Sequence, residues 1–296
     1  MSTLNIWALI AAACGWLNAA GAQLEIVSNG APESVFCGSQ NQISIIFHNG
    51  GSESFDGEIR MRVFQATSDT AVSMGEAAWK KLEVLPQQTV LESAQLNFPP
   101  VNAETLFLIQ WISDSNRVVG TTSVLVYPTN LFQALRPFLD RKNFGVFDPG
   151  NQLKPLLKRQ GISFADLGEM KLDDFRGRLA IIGPFQSQEE VPKGLANRIK
   201  TIARKNVAVV WIQPPQAVSL ASPLNWERKR IEPTYYWVRK RQTAIVIVRP
   251  DMASDLPKNP QSQVTLIYLC RFALDPEQMA LPILPQAFND FDDETI

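Results

Sequence analysis

The chain has 296 residues, of which 45% are hydrophobic and 19% charged, so it can build one or two real cores and general disorder is excluded. Its net charge of −1 is unevenly shared: residues 23–128 carry 5 basic and 11 acidic side chains, a net of −6, whereas residues 129–296 carry 23 basic and 18 acidic, a net of +5. Four of those acids stand in an acidic tail over residues 289–296; either the two halves offset one another in the fold, or the second half meets an anionic partner.

Residues 1–22 hold no Asp, Glu, Lys or Arg. The apolar run IWALIAAACGWL is followed by NAAGA, where Ala20 and Ala22 satisfy the small-residue rule for cleavage before Gln23. This reads as a signal peptide and implies a secreted or periplasmic protein. An uncleaved anchor is the alternative, opposed by the shortness of the run and by Asn5 and Asn18; a lipoprotein would use Cys14. No other stretch is apolar enough to span a bilayer, so the mature chain is expected to have no membrane span. Cys37 and Cys270 then remain, and their spacing does not decide pairing. Export permits a disulfide, but buried free thiols are expected.

Residues 23–128 read as strands between turns. QISIIFHNGG is a strand ending in glycines, and GEIRMRVF alternates cleanly, with Ile59, Met61 and Val63 on one face and Arg60 and Arg62 on the other. That period of two marks a half-buried strand. KKLEVLP, TVLESAQLNF, TLFLIQWI and RVVGTTSVLVYP continue it, with a turn at SDSN between the last two. Six or seven short strands without a convincing helix predict an immunoglobulin-like β-sandwich.

The pattern changes after YPTN at 127–130. NLFQALRPFLDR predicts a short helix capped by Asn130, FGVFD a strand, and NQLKPLLKRQG a helix closed by Gly161. SFADL and GRLAIIGPF follow as strands, the second fully buried. GLANRIKTIARKN is an amphipathic helix with Leu195, Ile199 and Ile202 on one face. VAVVWIQPP and TAIVIVRPD are apolar strands, and QSQVTLIYLCRFAL a final helix. Strands that alternate with helices and are apolar on both faces predict a mostly parallel sheet covered on both sides. The fold class is therefore β plus α/β, with a sandwich over 23–128 and an α/β domain over 129–288.

By this order of elements, residues 129–280 resemble a flavodoxin-like domain of the class I glutamine amidotransferase-like kind. A sandwich leading into such a domain is similar to arrangements in secreted bacterial proteins and some glycosidases. The resemblance implies, in catalytic members, a Cys on a tight turn after a buried strand, activated by a His and an acid. The corresponding turn here is IIGPF, where Gly183 or Pro184 stands in the nucleophile's place, and the only histidine is His48, in the sandwich. No catalytic residue carries over, and the domain reads as catalytically degenerate.

In open α/β sheets ligands sit beyond the carboxyl ends of the strands. Those ends read FDPG, IGPF, IQPP and VRPD, placing Asp148, Gly183, Pro184 and Gln213 at the expected crevice. Each end carries proline, which has no N–H to offer a phosphate. With no GxGxxG or GxxxxGK[ST] stretch, no nucleotide, flavin or nicotinamide cofactor is expected. A Ser–His–Asp or Cys–His arrangement lacks its imidazole, and the His and Cys count does not make a zinc site. What remains for catalysis is the carboxylate pair Asp148 and Asp251; each can equally be a helix or turn cap.

One stretch stands apart, LNWERKRIEPTYYWVRKRQ over 224–242. It holds Trp226, Tyr235, Tyr236 and Trp237 among Arg228, Lys229, Arg230, Arg239, Lys240 and Arg241. Aromatic faces stack on sugars and arginines grip anions, so this is a candidate surface for an anionic glycan, a peptide or another protein. It also reads as a β-hairpin whose aromatics pack on the sheet while its bases face water. Nucleic acid is not an expected partner of an exported protein. The composite expectation is an exported binding or scaffolding protein; the alternative is a carbohydrate-active or amide-hydrolysing enzyme that uses carboxylates at the crevice.

Overall fold

The computed structural model describes residues 23–27, 30–67, 69–138, 143–214, 227–231, 234–238, 244–248 and 256–276, with 227–231 and 234–238 as backbone only. The chain divides into two compact units. One comprises the residues through Glu33 together with Gly38–Val126; the other comprises Ser34–Cys37 and the chain from Tyr127 onward.

Eight strands build the first half of the chain: β1 (Leu24–Val27), β2 (Glu33–Phe36), β3 (Gln40–Asn49), β4 (Phe55–Ala66), β5 (Ala71–Val84), β6 (Thr89–Asn97), β7 (Thr105–Ser113) and β8 (Val118–Tyr127). They form a three-stranded sheet, β1-β3-β6, and a five-stranded sheet, β2-β8-β7-β4-β5. Alternation decides which residues go inside. Ile43, Ile45 and Phe47 of β3 are buried, as are Phe107, Ile109 and Trp111 of β7. Rings from both sheets meet in the core: Phe47 stacks on Trp79 with centroids 5.9 Å apart, and Trp79 lies 4.9 Å from Trp111. The Trp111 indole N–H donates to Thr122 Oγ1 at 2.9 Å, so this fully buried ring of the sandwich leaves no polar atom stranded.

Two corrections to the sequence reading concern strand number and length. β1 and β2, four residues each, are too short to show a period. KKLEVLP is only the end of a 14-residue strand, β5, whose period of two is interrupted by two bulges. The pairing passes from Ile59–Lys80 to Arg60–Ala78, leaving Trp79 as the extra residue, and from Val63–Gly75 to Phe64–Ser73, leaving Met74 extra. A bulge rephases a strand and re-aims a side chain: Trp79 thereby turns into the core while Lys80 pairs with Glu92.

The second unit contains β9 (Phe144–Phe147), α1 (Leu153–Arg159), β10 (Ala165–Asp166), β11 (Leu179–Ile182), α2 (Leu195–Ala203), β12 (Ala208–Ile212), β13 (Glu227–Ile231), β14 (Thr234–Val238), β15 (Ala244–Val248) and α3 (Pro260–Leu274). The helix expected over NLFQALRPFLDR is instead a 3₁₀ segment, Leu131–Phe138, with Pro137 inside it; proline removes a donor and crowds the preceding turn, which an α-helix does not tolerate there. α1 ends as read, at Gly161, which holds φ +69°, a left-handed value that suits glycine.

Seven strands make one sheet in the order β10-β9-β11-β12-β15-β14-β13. The first five are mutually parallel, and β14 and β13 continue the sheet as antiparallel strands. Leu179 and Ile181 face a core shared with α1 and α3, whereas Ala180 and Ile182 face a core shared with α2. This two-sided burial explains the unbroken apolar runs of β11, β12 and β15. Each fully buried Ile, Val or Leu contributes roughly 1.5–3 kcal/mol of transfer free energy. At the sheet margin, Lys154 of α1 pairs with Asp166 of β10 at 2.7 Å, fastening the short edge strand to the helix beside it.

Candidate functional site

The parallel strands run in the order second, first, third, fourth, fifth along the chain. The chain therefore leaves β9 toward one side and β11 toward the other, and such divergence opens a crevice at the strands' carboxyl ends where ligands of open α/β sheets bind. The loops that meet there begin at Asp148 and at Gly183-Pro184, just past the paired ends of β9 and β11 at Phe147 and Ile182. Gly183 N–H donates to Phe147 O at 2.8 Å.

Asp148 does not face an open cleft. It is 1% exposed, and its carboxylate turns back onto the start of α1. Oδ1 accepts from Gln152 N at 3.1 Å, and Oδ2 accepts from Leu153 N and Lys154 N, each at 2.8 Å. These are orphan amides of a helix's first turn, and a carboxylate there also favours the helix dipole. The position at which such folds receive an external anion is thus filled by the chain's own. Three lone pairs are committed to backbone N–H groups, and burial keeps a substrate from the carboxylate.

The other side of the crevice is closed as well. Gly183 has φ +96°, and a Cβ there would lie 2.6 Å from Ile212 O, so no larger residue, nucleophilic or otherwise, fits that place unshifted. The Gly183–Pro184 peptide is cis. Phe185 is buried and meets Phe147 with ring centroids 6.2 Å apart. Gln186 Nε2 donates to Gly150 O at 3.0 Å, and its own N–H donates to Glu190 Oε2 at 2.8 Å, so a side chain from the β11 loop bridges to the β9 loop. Sequence reasoning missed Gln186 and Glu190, because their partner Gly150 lies 36 residues from Gln186. The capping role of Asp148 was visible in principle: an Asp shortly before a helix is the residue type that satisfies first-turn amides. Gln213, half-buried, continues the β12–β15 ladder through its N–H to Val248 O at 2.9 Å.

Asp251, Trp226, Arg239, Lys240 and Arg241 lie outside the described residues. The remaining candidates fall on the hairpin β13–β14, whose register sets Arg228 opposite Trp237, Lys229 opposite Tyr236 and Arg230 opposite Tyr235. β14 in turn pairs Tyr235 with Ile247, Tyr236 with Val246 and Trp237 with Ile245. The stretch is therefore an extension of the sheet, with β13 as its edge strand.

His48 is half-buried on β3, with Nδ1 3.0 Å from Thr89 Oγ1. Cys37 and Cys270 are buried and unbridged, and complete desolvation pushes the Cys270 thiol far up, leaving it a small apolar residue in practice. The sandwich holds a groove of about 550 Å³ lined by Met61, Val63, Met74 and Phe98, beside the bulge at Met74. A smaller cavity of about 120 Å³ is lined by Glu33, Ser44 and Thr121 among others. Partial burial raises the Glu33 carboxyl above its ordinary value, although it accepts from Ser44 N at 3.0 Å. No helix among the described residues is long and apolar enough to cross a membrane.

No family model and no curated protein matches the chain. Solved structures match it in part. An alkylpurine DNA glycosylase from Pseudomonas fluorescens, bound to DNA containing an abasic site analog, is 8% identical over 36% of this chain and 31% of its own, with a TM-score of 0.29. A β-glucosidase from Listeria innocua in complex with gluconolactone is 12% identical over 36% of this chain and 16% of its own, with a TM-score of 0.27. A Niemann-Pick type C2 protein from the Japanese carpenter ant is 8% identical over 36% of this chain and 88% of its own, also at 0.27. The chain thus spans less than a third of the first two, and these likenesses assign it no function.

Proposed function

We propose that this protein is an exported binding or scaffolding module without catalysis of its own, an immunoglobulin-like sandwich followed by a flavodoxin-like domain of the degenerate amidotransferase-like kind. One observation carries the reading: the crevice where such a domain would work is occupied by its own residues. The Asp148 carboxylate is spent on three backbone amides, and Gln186 bridges the two loops above it. A general acid or base has to reach a substrate proton within hydrogen-bond distance, and a sealed cap does not.

The basic-aromatic hairpin β13–β14 is the binding surface in this reading, facing a glycan, peptide or protein partner of negative charge. The net of +5 over residues 129–296 supports an anionic partner. Export rests on the uncharged, apolar residues 1–22. The test immobilises the full chain and the variant Arg228→Ala/Lys229→Ala/Arg230→Ala, and compares what each retains from an envelope fraction. Material held by the native chain and lost by the variant supports the hairpin; identical retention by both overturns it. Turnover of glycoside or amide substrates by the native chain, abolished by Asp148→Ala in a folded variant, would overturn the non-catalytic reading.

A further inference from the structure

We infer that the sandwich takes up a strand from another protein: an extended, uncharged segment, apolar at every second residue, that pairs with the free edge of β6 and fills the groove beside it. This surface is separate from the hairpin β13–β14. The groove is a piece of the sandwich's own core left uncovered. Met61 and Val63 stand opposite Trp111 and Ile109 of β7, so all four share the core-facing side of the five-stranded sheet. Trp111, Ile109 and their neighbour Ile59 are fully buried. Met61 and Val63 are only half-buried, and Ala77 and Gly75, level with them on β5, are exposed. The facing sheet has three strands against five and stops at β6, so among the described residues no strand lies over this part of the inner face. The resulting void of about 550 Å³ has Phe98 and Phe107 in its walls, with ring centroids 5.0 Å apart. A Cβ on Gly75 would meet nothing within 4 Å.

Beside the groove runs an open backbone edge. β6 pairs with β3 without a bulge from Asn97–Gln40 to Thr89–His48. Just outside the two ends of that ladder, Gly38 N–H donates to Phe98 O at 3.1 Å and Asn49 N–H to Gln88 O at 3.0 Å. Bonded positions alternate along an antiparallel pair, so the even-numbered residues of β6 face β3. Ser93, Gln95 and Asn97 turn their N–H and C=O groups the other way, where among the described residues no strand pairs with β6. Natural edges are blunted by bulges, lysines or proline. β5, the edge of the larger sheet, has two bulges together with Lys80 and Lys81. β6 reads SAQLN from Ser93 to Asn97, with no charge, no proline and no bulge.

An unguarded edge next to an uncovered apolar face is what strand addition uses: main-chain hydrogen bonds supply affinity and alternate side chains fill the pocket. A strand laid beside β6 would satisfy the outward groups of Ser93, Gln95 and Asn97, and its inward side chains would stand over Met61, Val63 and Ala77. The one charged residue in the lining is Glu76, whose carboxylate is already held by Arg60 and Arg62, so the complementary segment is uncharged. The pliable thioethers of Met61 and Met74 suit aliphatic side chains of varied shape. An alkyl ligand would fill the void and leave the edge unpaired. A second copy approaching edge to edge would meet β5 before β6, because β4 and β5 extend past β6 beneath the groove.

The probe is a synthetic peptide of alternating valine and threonine with a lysine at each end for solubility, titrated into the full chain by calorimetry and by amide hydrogen exchange. It should bind in the micromolar range and slow exchange at Ser93, Gln95 and Asn97, while Ala94 and Leu96, already bonded to β3, change little. The same peptide N-methylated at alternate amides should bind about tenfold more weakly or worse, one hydrogen bond being worth up to about a factor of ten. Gln95→Pro, which removes an outward N–H and spares the ladder to β3, should weaken binding by about tenfold. Ala77→Glu, which sets a charge in the groove, should do so by about tenfold or more. Leu91→Ser, an exposed apolar position on the other face of β6, should stay within about twofold of the native chain. Ala77→Glu with unchanged thermal unfolding keeps the test decisive should Gln95→Pro fail to fold. Equal binding of the N-methylated peptide, or no binding of either, would overturn the inference. Saturable binding of decanol without binding of the peptide would assign the groove to an alkyl ligand and overturn it too. So would self-association of the native chain that Gln95→Pro abolishes, which would give the edge to a second copy. None of these outcomes bears on the hairpin, whose own test stands apart.

Discussion

In each half of the molecule a buried polar side chain ties backbone segments together, Asn49 in one and Asp148 in the other, and the two do it with different chemistry. In the sandwich, Asn49 is fully buried at the end of β3. Its Oδ1 accepts from Gln23 N and Gly51 N, both at 3.1 Å, and its Nδ2 donates to Glu53 O at 2.8 Å and Val84 O at 3.0 Å. In the α/β unit, Asp148 accepts three backbone N–H groups and donates nothing. The amide suits a junction of turns, where free carbonyls and free amides occur together. The carboxylate suits a helix start, where only amides are free. Residue choice at a buried polar position thus follows the sign of the backbone groups left over there, and Asp148, which invites a catalytic interpretation in the sequence, belongs to this structural class.

Swapping the two chemistries is the sharpest way to break the comparison. Asn49→Asp replaces two donors with acceptors facing the carbonyls of Glu53 and Val84, and should cost about 3 kcal/mol or more. Asp148→Ala should cost about 2–3 kcal/mol, since it removes a cap and strands first-turn amides, and Asp148→Asn less, because one oxygen still accepts. Denaturant unfolding, with hydrogen exchange assigning the loss to one unit, measures both; an Asp148→Ala protein as stable as the native chain would show that the cap matters little. Gln186→Ala should cost under about 1 kcal/mol, because this bridge is solvent-exposed, and should open the crevice to small solutes without creating turnover.

The smallest effect concerns Glu33. Burial raises its carboxyl in the folded state, so the fold holds that proton more tightly than the unfolded chain does. Its contribution is fully present below the ordinary glutamate value and is lost as pH rises through the raised one. Glu33→Gln should therefore be slightly more stable than the native chain near neutrality, and the difference should vanish in acid. A difference that grows on acidification would sink this assignment.

The strands that were legible are those whose burial is simplest. β11, β12 and β15 are apolar on both faces, and α2 repeats Leu195, Ile199 and Ile202 at helical spacing, so each announces itself. β5 hid its first half because the extra residues at Met74 and Trp79 break its alternation, and the 3₁₀ segment at Leu131–Phe138 imitates an α-helix in its apolar spacing while Pro137 forbids one. At the crevice, the sequence located Asp148 and Gly183 because strand ends are readable. It did not show where the Asp148 carboxylate points or that Gln186 reaches Gly150, since both depend on contacts between loops. The hairpin's aromatic and basic content was plain, but which residues stand opposite one another required the register.

Cys37 and Cys270 are both buried and unbridged, which has a consequence for a chain read as exported. Among the described residues the fold is held by packing and hydrogen bonds, with no covalent cross-link, so its stability should be indifferent to the redox state of its surroundings. Unfolding curves recorded with and without dithiothreitol should superimpose. The same sequestration shields the two sulfurs from oxidants and alkylating reagents until the protein opens, so the rate at which they react becomes a built-in clock for unfolding.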